Sequence, residues 1–599
     1  MNLAQNFEQA QNAFQTGDLW TASRVCDDMI KHSPGHPDVL HLMALVSKRQ
    51  GKIHDAEKNF RASLKSKPKQ PAVLSNLGNL LKQNKRFTEA DKAYERALRW
   101  MPGLTDAWYN RGLMAIDQGR WEKAIEYLEK AKSQGVSMNT ELALISAHRE
   151  AGHLEEAQTL ADNLLQRFPS DVRAVAAVAS TRRKSDPDAA LDLLKNELDR
   201  TADPAAIHYE LGLVHSNQKN LDEAINHFEA AVRERPEMIE AHRSLNEIYW
   251  QQEDDRFLKS YRDAIETNPT SPPLYHNLAA ALISSEDNKG AEDVLIEALS
   301  RAGRQQHLVH GLAVQKLKKG ELDTAEQLLF EALQADPDNR TFLIDCANID
   351  IINERYERAE KHLDHALRIY PYNQELWAYK GIVWRLTGDE RHEWLNDYDR
   401  LLKVYELPHP QEFENTQAFM AALEELLPTL HTATRQPLDQ SVRNGTQTFE
   451  FLFDNPHPLI RSLKRAVEAM LADYLGSMPR DSKHPFYSRI RPATRFTGNW
   501  SIILRSGGYH TNHIHPFGWL SCCNYIATPK LKGKARRDRA GWIKFGETSL
   551  QLGKRENVAA AIEPKPGNLV FFPSYFWHGT YPFESEEPRM TVPCDIDPA

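Results

Sequence analysis

A small residue that returns every 34 positions or so constrains this chain more than any other feature. Alanine stands at Ala22, Ala56, Ala90, Ala124, Ala157, Ala190, Ala224, Ala291, Ala325 and Ala359, spaced by 33 or 34 residues except for one interval of 67 after Ala224. Prolines keep the same time at Pro34, Pro68, Pro102, Pro169, Pro236, Pro269, Pro337 and Pro371. Four residues after most of the alanines comes a bulky apolar residue, as at Phe60, Tyr94, Leu128, Phe228, Leu295 and Leu329, and three further on another small one, as at Ala97, Ala131, Ala231, Ala298 and Ala332. A fixed period of this length means one supersecondary unit used repeatedly. Small residues let two helices of a hairpin approach closely, and the bulky residue fills the groove beside them. Proline cannot extend the second helix and so ends it. Each hairpin exposes an apolar face that only the next one covers, so the units must stack.

Period and placement resemble the tetratricopeptide repeat, with Gly78, Gly112, Gly212 and Gly311 read as its tight helix-packing position. About eleven units are expected, the last degenerate around Trp377 to Leu407, so residues 1–407 are assigned to an all-α solenoid. The resemblance implies a concave surface for a protein or peptide partner. Dimerisation of the chain, or tethering of its C-terminal region, is the other use such a scaffold serves.

The bulk numbers fit a multidomain protein, because a single core rarely grows past roughly 250–300 residues and this chain has 599. The net charge of −9 gives no reason to expect nucleic-acid binding. No apolar run reaches the roughly 18 residues of a membrane span, and the opening MNLAQNFEQAQ lacks the features of a secretory signal. The five cysteines (Cys26, Cys346, Cys522, Cys523, Cys594) include no CxxC pair, so a disulfide framework is not expected and a reducing cytoplasm is the simplest home.

After Leu407 the beat stops. A helical linker over 408–430 leads into a β-rich domain over 431–599, which opens with a turn-and-strand segment, RQPLDQSVRNGTQT, and a helix from Pro458 to Leu475. The strand-like segments FTGNWSIILRSGG, WLSCCNYIAT, GWIKFGE, NLVFFPS and RMTVPCDI come next, separated by Gly- and Pro-bearing turns. Their number and spacing predict a barrel or jelly roll, the cupin-like architecture.

Four histidines in that domain carry the chemistry. His513 and His515 lie in GGYHTNHIHP, and His578 comes directly after the apolar run FFPSYFW. On an extended strand, residues i and i+2 share a face, so His513 and His515 can converge. A distant histidine delivered into the same interior completes a set suited to iron, zinc, copper or nickel. His510 is expected to face the other way, solvated or in a supporting role. Cys522 and Cys523, adjacent on opposite faces, are read as packing rather than as ligands. The basic loop PKLKGKARRDRAGW, with Lys530, Lys532, Lys534, Arg536, Arg537 and Arg539, either lines the entrance and attracts an acidic partner or is an ordinary solvated loop.

The segments NWSIILRSGGYHTNHIHPFGWLS, GWIKFGE, PKPGNLVFFPSYFWHGTYPF and PRMTV resemble the 2-oxoglutarate/iron(II)-dependent oxygenase domains fused to tetratricopeptide repeats, in the prolyl-hydroxylase-like superfamily. The resemblance implies an α+β multidomain chain, an all-α solenoid ahead of a double-stranded β-helix (jelly-roll, cupin-like) domain. It also implies a dioxygenase that uses Fe(II), 2-oxoglutarate and O2 to hydroxylate a substrate, here a protein or peptide recruited by the repeats. By the same resemblance His578 matches the distal metal ligand, and Arg589, eleven residues on, matches the base that grips the far carboxylate of 2-oxoglutarate, for which a guanidinium fork is suited. Thr591 shares the strand face of Arg589 and adds a hydroxyl donor. Two departures stand out. His515 occupies the place of a carboxylate ligand, giving either a three-histidine site or two histidines plus water or co-substrate. Asn524, in SCCNYIA, falls where the lining of the co-substrate cavity is expected. The alternatives to the oxygenase are an interaction scaffold with an inactive C-terminal domain, or a cupin-like three-histidine metal enzyme that does not use 2-oxoglutarate.

Overall fold

The computed structural model describes residues 3–84, 86–438, 440–448 and 451–598. Its described residues form two compact units, Met1–Leu245 with Gln334–Pro337, and Asn246–Leu333 with Asp338–Ala599.

The repeats are helix pairs throughout. Twenty-two helices, from Leu3–Gln15 to Tyr356–Ile369, make eleven antiparallel pairs among the described residues. The timed alanines and the bulky residues after them are fully buried, Ala56 with Phe60 and Ala90 with Tyr94 among them. Each timed proline stands two residues past a helix end, as Pro34 after Leu19–His32 and Pro371 after Tyr356–Ile369, where a missing N–H breaks nothing. Asp18, Asp186, Asp203 and Asp287 cap helix N-termini, each accepting a backbone N–H. The tight packing position is real at three of the four glycines: a Cβ on Gly78 would sit 2.6 Å from the Tyr94 ring, on Gly112 2.6 Å from Leu128, and on Gly212 2.5 Å from Phe228. Gly311 is a correction. It lies two residues out of phase and faces Leu295 of the preceding helix, while Ala313 takes the position beside Ala325 and Leu329.

The skipped beat has a structural cause. At the missing alanine stands Leu258, in the left-handed backbone region (φ 64°), its N–H donating to the side-chain oxygen of Asn246. The next helix, Lys259–Thr267, is shortened to nine residues.

The last repeat runs out differently from the expectation. Helix Gln374–Thr387 has no full partner; two short helices, Arg391–Leu395 and Tyr398–Leu401, replace it. Strand β1 (Lys403–Glu406), assigned to the solenoid by its sequence, pairs with a strand of the C-terminal sheet. The segment expected to be a linker forms a shorter helix, Thr416–Leu426, whose Phe419, Met420 and Leu423 are buried in the domain core. That core runs continuously within the second unit from Leu343 and Tyr379 to Phe571 and Ile596. Polar ties run alongside it: Tyr575 Oη donates to the Leu395 carbonyl (2.7 Å), and the Arg555 guanidinium donates to the carbonyls of Ile351 and Ile352.

The domain itself is an antiparallel jelly roll. Its larger sheet holds β1, β2 (Val442–Gln447), β3 (Thr494–Asn499), β4 (Ile502–His510), β5 (Leu520–Ala527), β8 (Asn568–Pro573) and β10 (Arg589–Pro598), in the order β1-β8-β5-β10-β4-β2 with β3 also on β10. The smaller sheet holds β6 (Ile543–Phe545) between β7 (Ala560–Ile562) and β9 (His578–Thr580). No described helix is long and apolar enough to cross a membrane.

Candidate metal centre and anion cradle

His513, His515 and His578 converge: one nitrogen of each lies within 4.8 Å of the others. Strand alternation is not what brings the first two together, because β4 ends at His510. Instead His513 forms an isolated antiparallel bridge with His578, its N–H donating to the His578 carbonyl (2.8 Å) and its carbonyl accepting from the His578 N–H (3.0 Å). The His515 N–H donates to the Ser574 carbonyl (3.0 Å). The chain is thus pinned at both histidines by the segment that runs from Ser574, just past β8, to His578, which opens β9.

Each imidazole is oriented through Nδ1. His513 donates to the Thr511 carbonyl (2.7 Å), His578 to the Phe576 carbonyl (2.9 Å), and His515 to Asp595 Oδ1 (2.5 Å). The Nε2 atoms of His513 and His515 face each other 3.2 Å apart. Burial, with His515 beside it, pushes His513 down to about 3, and burial with the same neighbours holds His578 well below the usual imidazole range. With each Nδ1 committed to an acceptor, the other ring nitrogens are left for one another, and three converging imidazoles fit a bound metal ion.

His510 is not turned away as its sequence position suggested. It lines the same cavity, where Ser441 Oγ lies between its Nδ1 (3.0 Å) and His513 Nε2 (3.3 Å).

The cavity has a volume of about 610 Å³, within the range of small-molecule sites. Alternation along β10 puts Arg589, Thr591, Pro593 and Asp595 on its wall. Arg589 is 1% exposed, lies 5.1 Å from the Tyr525 ring, and has no carboxylate partner among the described residues; neither its Nε nor the Tyr525 hydroxyl has a hydrogen-bond partner there. A buried guanidinium without an anion is costly, so this pocket fits a carboxylate ligand. Thr591 lies opposite Tyr525 on β5.

Asn524 is a second correction. Its side chain donates to the Val592 carbonyl (2.7 Å) between β5 and β10 and is not on the cavity wall. Side chains alternate along β5, and the face of Arg589 belongs to Cys523 and Tyr525. Burial pushes the Cys523 thiol up to about 11, which disfavours the thiolate form. The basic loop, which includes a short helix Gly533–Arg537, does not line this cavity; Arg536 pairs instead with Glu563 (3.0 Å). Tyr525, Ser441 and Asp595 were not singled out from the sequence. Asp595 was legible in principle, six residues past Arg589 on the same alternation.

Residues 498–595 match the family described as "Putative 2OG-Fe(II) oxygenase", and residues 42–103, 105–133, 176–239 and 316–381 match tetratricopeptide-repeat families. The chain carries tetratricopeptide repeats ahead of a C-terminal domain of that oxygenase family. Among solved structures it is similar to a tetratricopeptide repeat protein from Parabacteroides merdae (18% identity, 41% of this chain and 97% of that one, TM-score 0.35) and to yeast Tom70 (14%, 63% and 95%, 0.31). It is also similar to YrrB, described as a repeat protein with an unusual peptide-binding site (17%, 32% and 98%, 0.25). No curated protein matches it.

Proposed function

We propose that the chain is an Fe(II)/2-oxoglutarate-dependent dioxygenase that hydroxylates a protein or peptide held by its repeats, and that it works in the cytoplasm. The observation that carries this reading is one cavity holding both three converging histidines and a buried, unpaired arginine. His513, His515 and His578 would hold the iron. Arg589, with Tyr525 and Thr591 beside it, would take the distal carboxylate of 2-oxoglutarate. When bound, these two supply the oxidising chemistry: 2-oxoglutarate loses carbon dioxide to become succinate as O2 is reduced, and one oxygen atom enters a substrate C–H bond. The protein's own part is to fix three imidazoles in one tautomer, neutralise the co-substrate's far end, and keep water out of the buried half of the cavity. Conversion of carboxyl-labelled 2-oxoglutarate to labelled carbon dioxide, dependent on added Fe(II) and lost in Arg589→Ala, tests the reading.

The all-histidine donor set favours a second reading, a cupin-like metal enzyme that does not use 2-oxoglutarate. That reading gives Arg589 no anion. It is the outcome if metal binds tightly while 2-oxoglutarate does not.

A further inference from the structure

The three imidazoles are anchored by unlike acceptors. His513 and His578 each donate Nδ1–H to a neutral backbone carbonyl, of Thr511 and Phe576. His515 alone donates to a carboxylate, at 2.5 Å from Asp595 Oδ1. His515 is also the residue standing where the resemblance expects an anionic ligand. The negative charge missing from the donor set thus reappears one hydrogen bond further out, on the same ligand.

The surroundings of Asp595 hold that carboxylate in place. Ser521 Oγ donates to the same oxygen (2.8 Å) and lies 2.9 Å from Ser574 Oγ. The carbonyl of Ser574 in turn receives the His515 N–H (3.0 Å). Strand β10 delivers Asp595 opposite Ser521 of β5, so the sheet register sets the position. Gly518 leaves room for the cluster: a Cβ there would lie 2.7 Å from Ser574 Oγ and 3.4 Å from the Asp595 carboxylate. No lysine or arginine pairs with Asp595 among the described residues; its side-chain partners are His515 and Ser521.

We propose that Asp595 is a positioning residue that gives His515 the character of an anionic ligand, so that the His515–Asp595 pair does in this protein what a ligating carboxylate does in the wider superfamily. A carboxylate on the far nitrogen fixes the tautomer with the lone pair on Nε2 and raises its basicity. It also places a negative charge close to the metal in a largely buried site, where solvent screens it less than at the surface. The same anion orients the ring, so one residue supplies both aim and charge. This inference rests on the metal-centre reading above.

Orientation and charge separate experimentally. In the full-length protein, Asp595→Asn keeps an acceptor for the His515 N–H but removes the charge, and Asp595→Leu removes both. Titration with Co(II), monitored through its visible d–d bands, reads metal affinity without turnover. The expected result is weakening by about 10-fold in Asp595→Asn and about 100-fold in Asp595→Leu, with a shift of the d–d bands already in the Asn variant. A double-mutant cycle with His515→Ala localises the effect: once His515 is gone, Asp595→Asn is expected to cost nothing further. Thermal unfolding of the metal-free proteins is expected to be the same for wild type and Asp595→Asn. Wild-type affinity and bands in Asp595→Asn would overturn the proposal, as would an undiminished Asp595→Asn effect in the His515→Ala background. Wild type that binds no Co(II) would overturn the metal centre itself, an outcome distinct from the other two.

Discussion

The solenoid and the histidine cavity use sequence in opposite ways. In the repeats the information is redundant: the same small residue, the same bulky residue and the same proline recur, and losing one beat, at Leu258, shortens a helix without ending the array. In the cavity the information is singular. One histidine at the end of an isolated bridge, one in a loop and one opening a three-residue strand must agree to within a few ångströms, and no second copy backs any of them. A repeat array tolerates local damage because each unit touches only its neighbours. A metal centre does not, because its affinity depends on all ligands at once.

That contrast can be broken or sharpened in four ways. The largest effect is expected at the converging histidines. His578→Ala is expected to weaken Fe(II) or Co(II) binding by on the order of 100-fold or more while the helical circular dichroism stays at the wild-type level; retention of tight binding would remove His578 from the donor set. Next comes Arg589→Ala, expected to raise the apparent KM for 2-oxoglutarate by roughly 100-fold, as for truncation of a buried charge pair, with Co(II) affinity unchanged. A matching loss of metal affinity would show that Arg589 supports the fold rather than the anion.

A smaller effect is expected in the repeats. Gly78→Ala forces a methyl group against the Tyr94 ring and should destabilise by about 1–3 kcal/mol, read as earlier unfolding of the first unit by hydrogen exchange. Exchange protection of β5 and β10 is expected to be untouched; if it falls equally, the two units are not independent. The remaining test is a pH dependence of the second unit. His431, bonded to Thr446 and Ser501, and His484, bonded to the Trp394 carbonyl, are each pushed down to about 4, first of all by burial. Between the ordinary imidazole value near 6.5 and about 4, the unfolded chain binds protons that the folded one does not. Stability is therefore full above that window and falls as the pH drops through it. Denaturant melts from pH 7 to pH 4 should show the fall, and His431→Gln should flatten it.

The fold was largely legible because periodicity is local. The helix pairs, the strands carrying SCCNYIA and NLVFFP, and the β-rich character past residue 431 can each be read from short windows. What escaped depends on long-range pairing. Strand β1 has only four residues and acquires its identity from β8, more than 160 residues later. Gly311 was misplaced because a glycine near the right phase looks like the motif until Ala313 is seen to fill it. In the site, the three converging histidines were legible by type and spacing, whereas the reason for their convergence was not. Asp595 and Ser441 touch them only through the closed sheet and the loop before β2. The resemblance places Asn524 on the cavity lining, but alternation along β5 turns it to the other side.

The central claim is that one cavity binds both iron and 2-oxoglutarate, and anaerobic absorption spectroscopy tests it most directly. Fe(II) and 2-oxoglutarate added together to the full-length protein are expected to produce the visible charge-transfer band of a chelated complex, absent with either alone and lost in His578→Ala. No band in the wild-type protein, or one that persists in His578→Ala, would contradict the account.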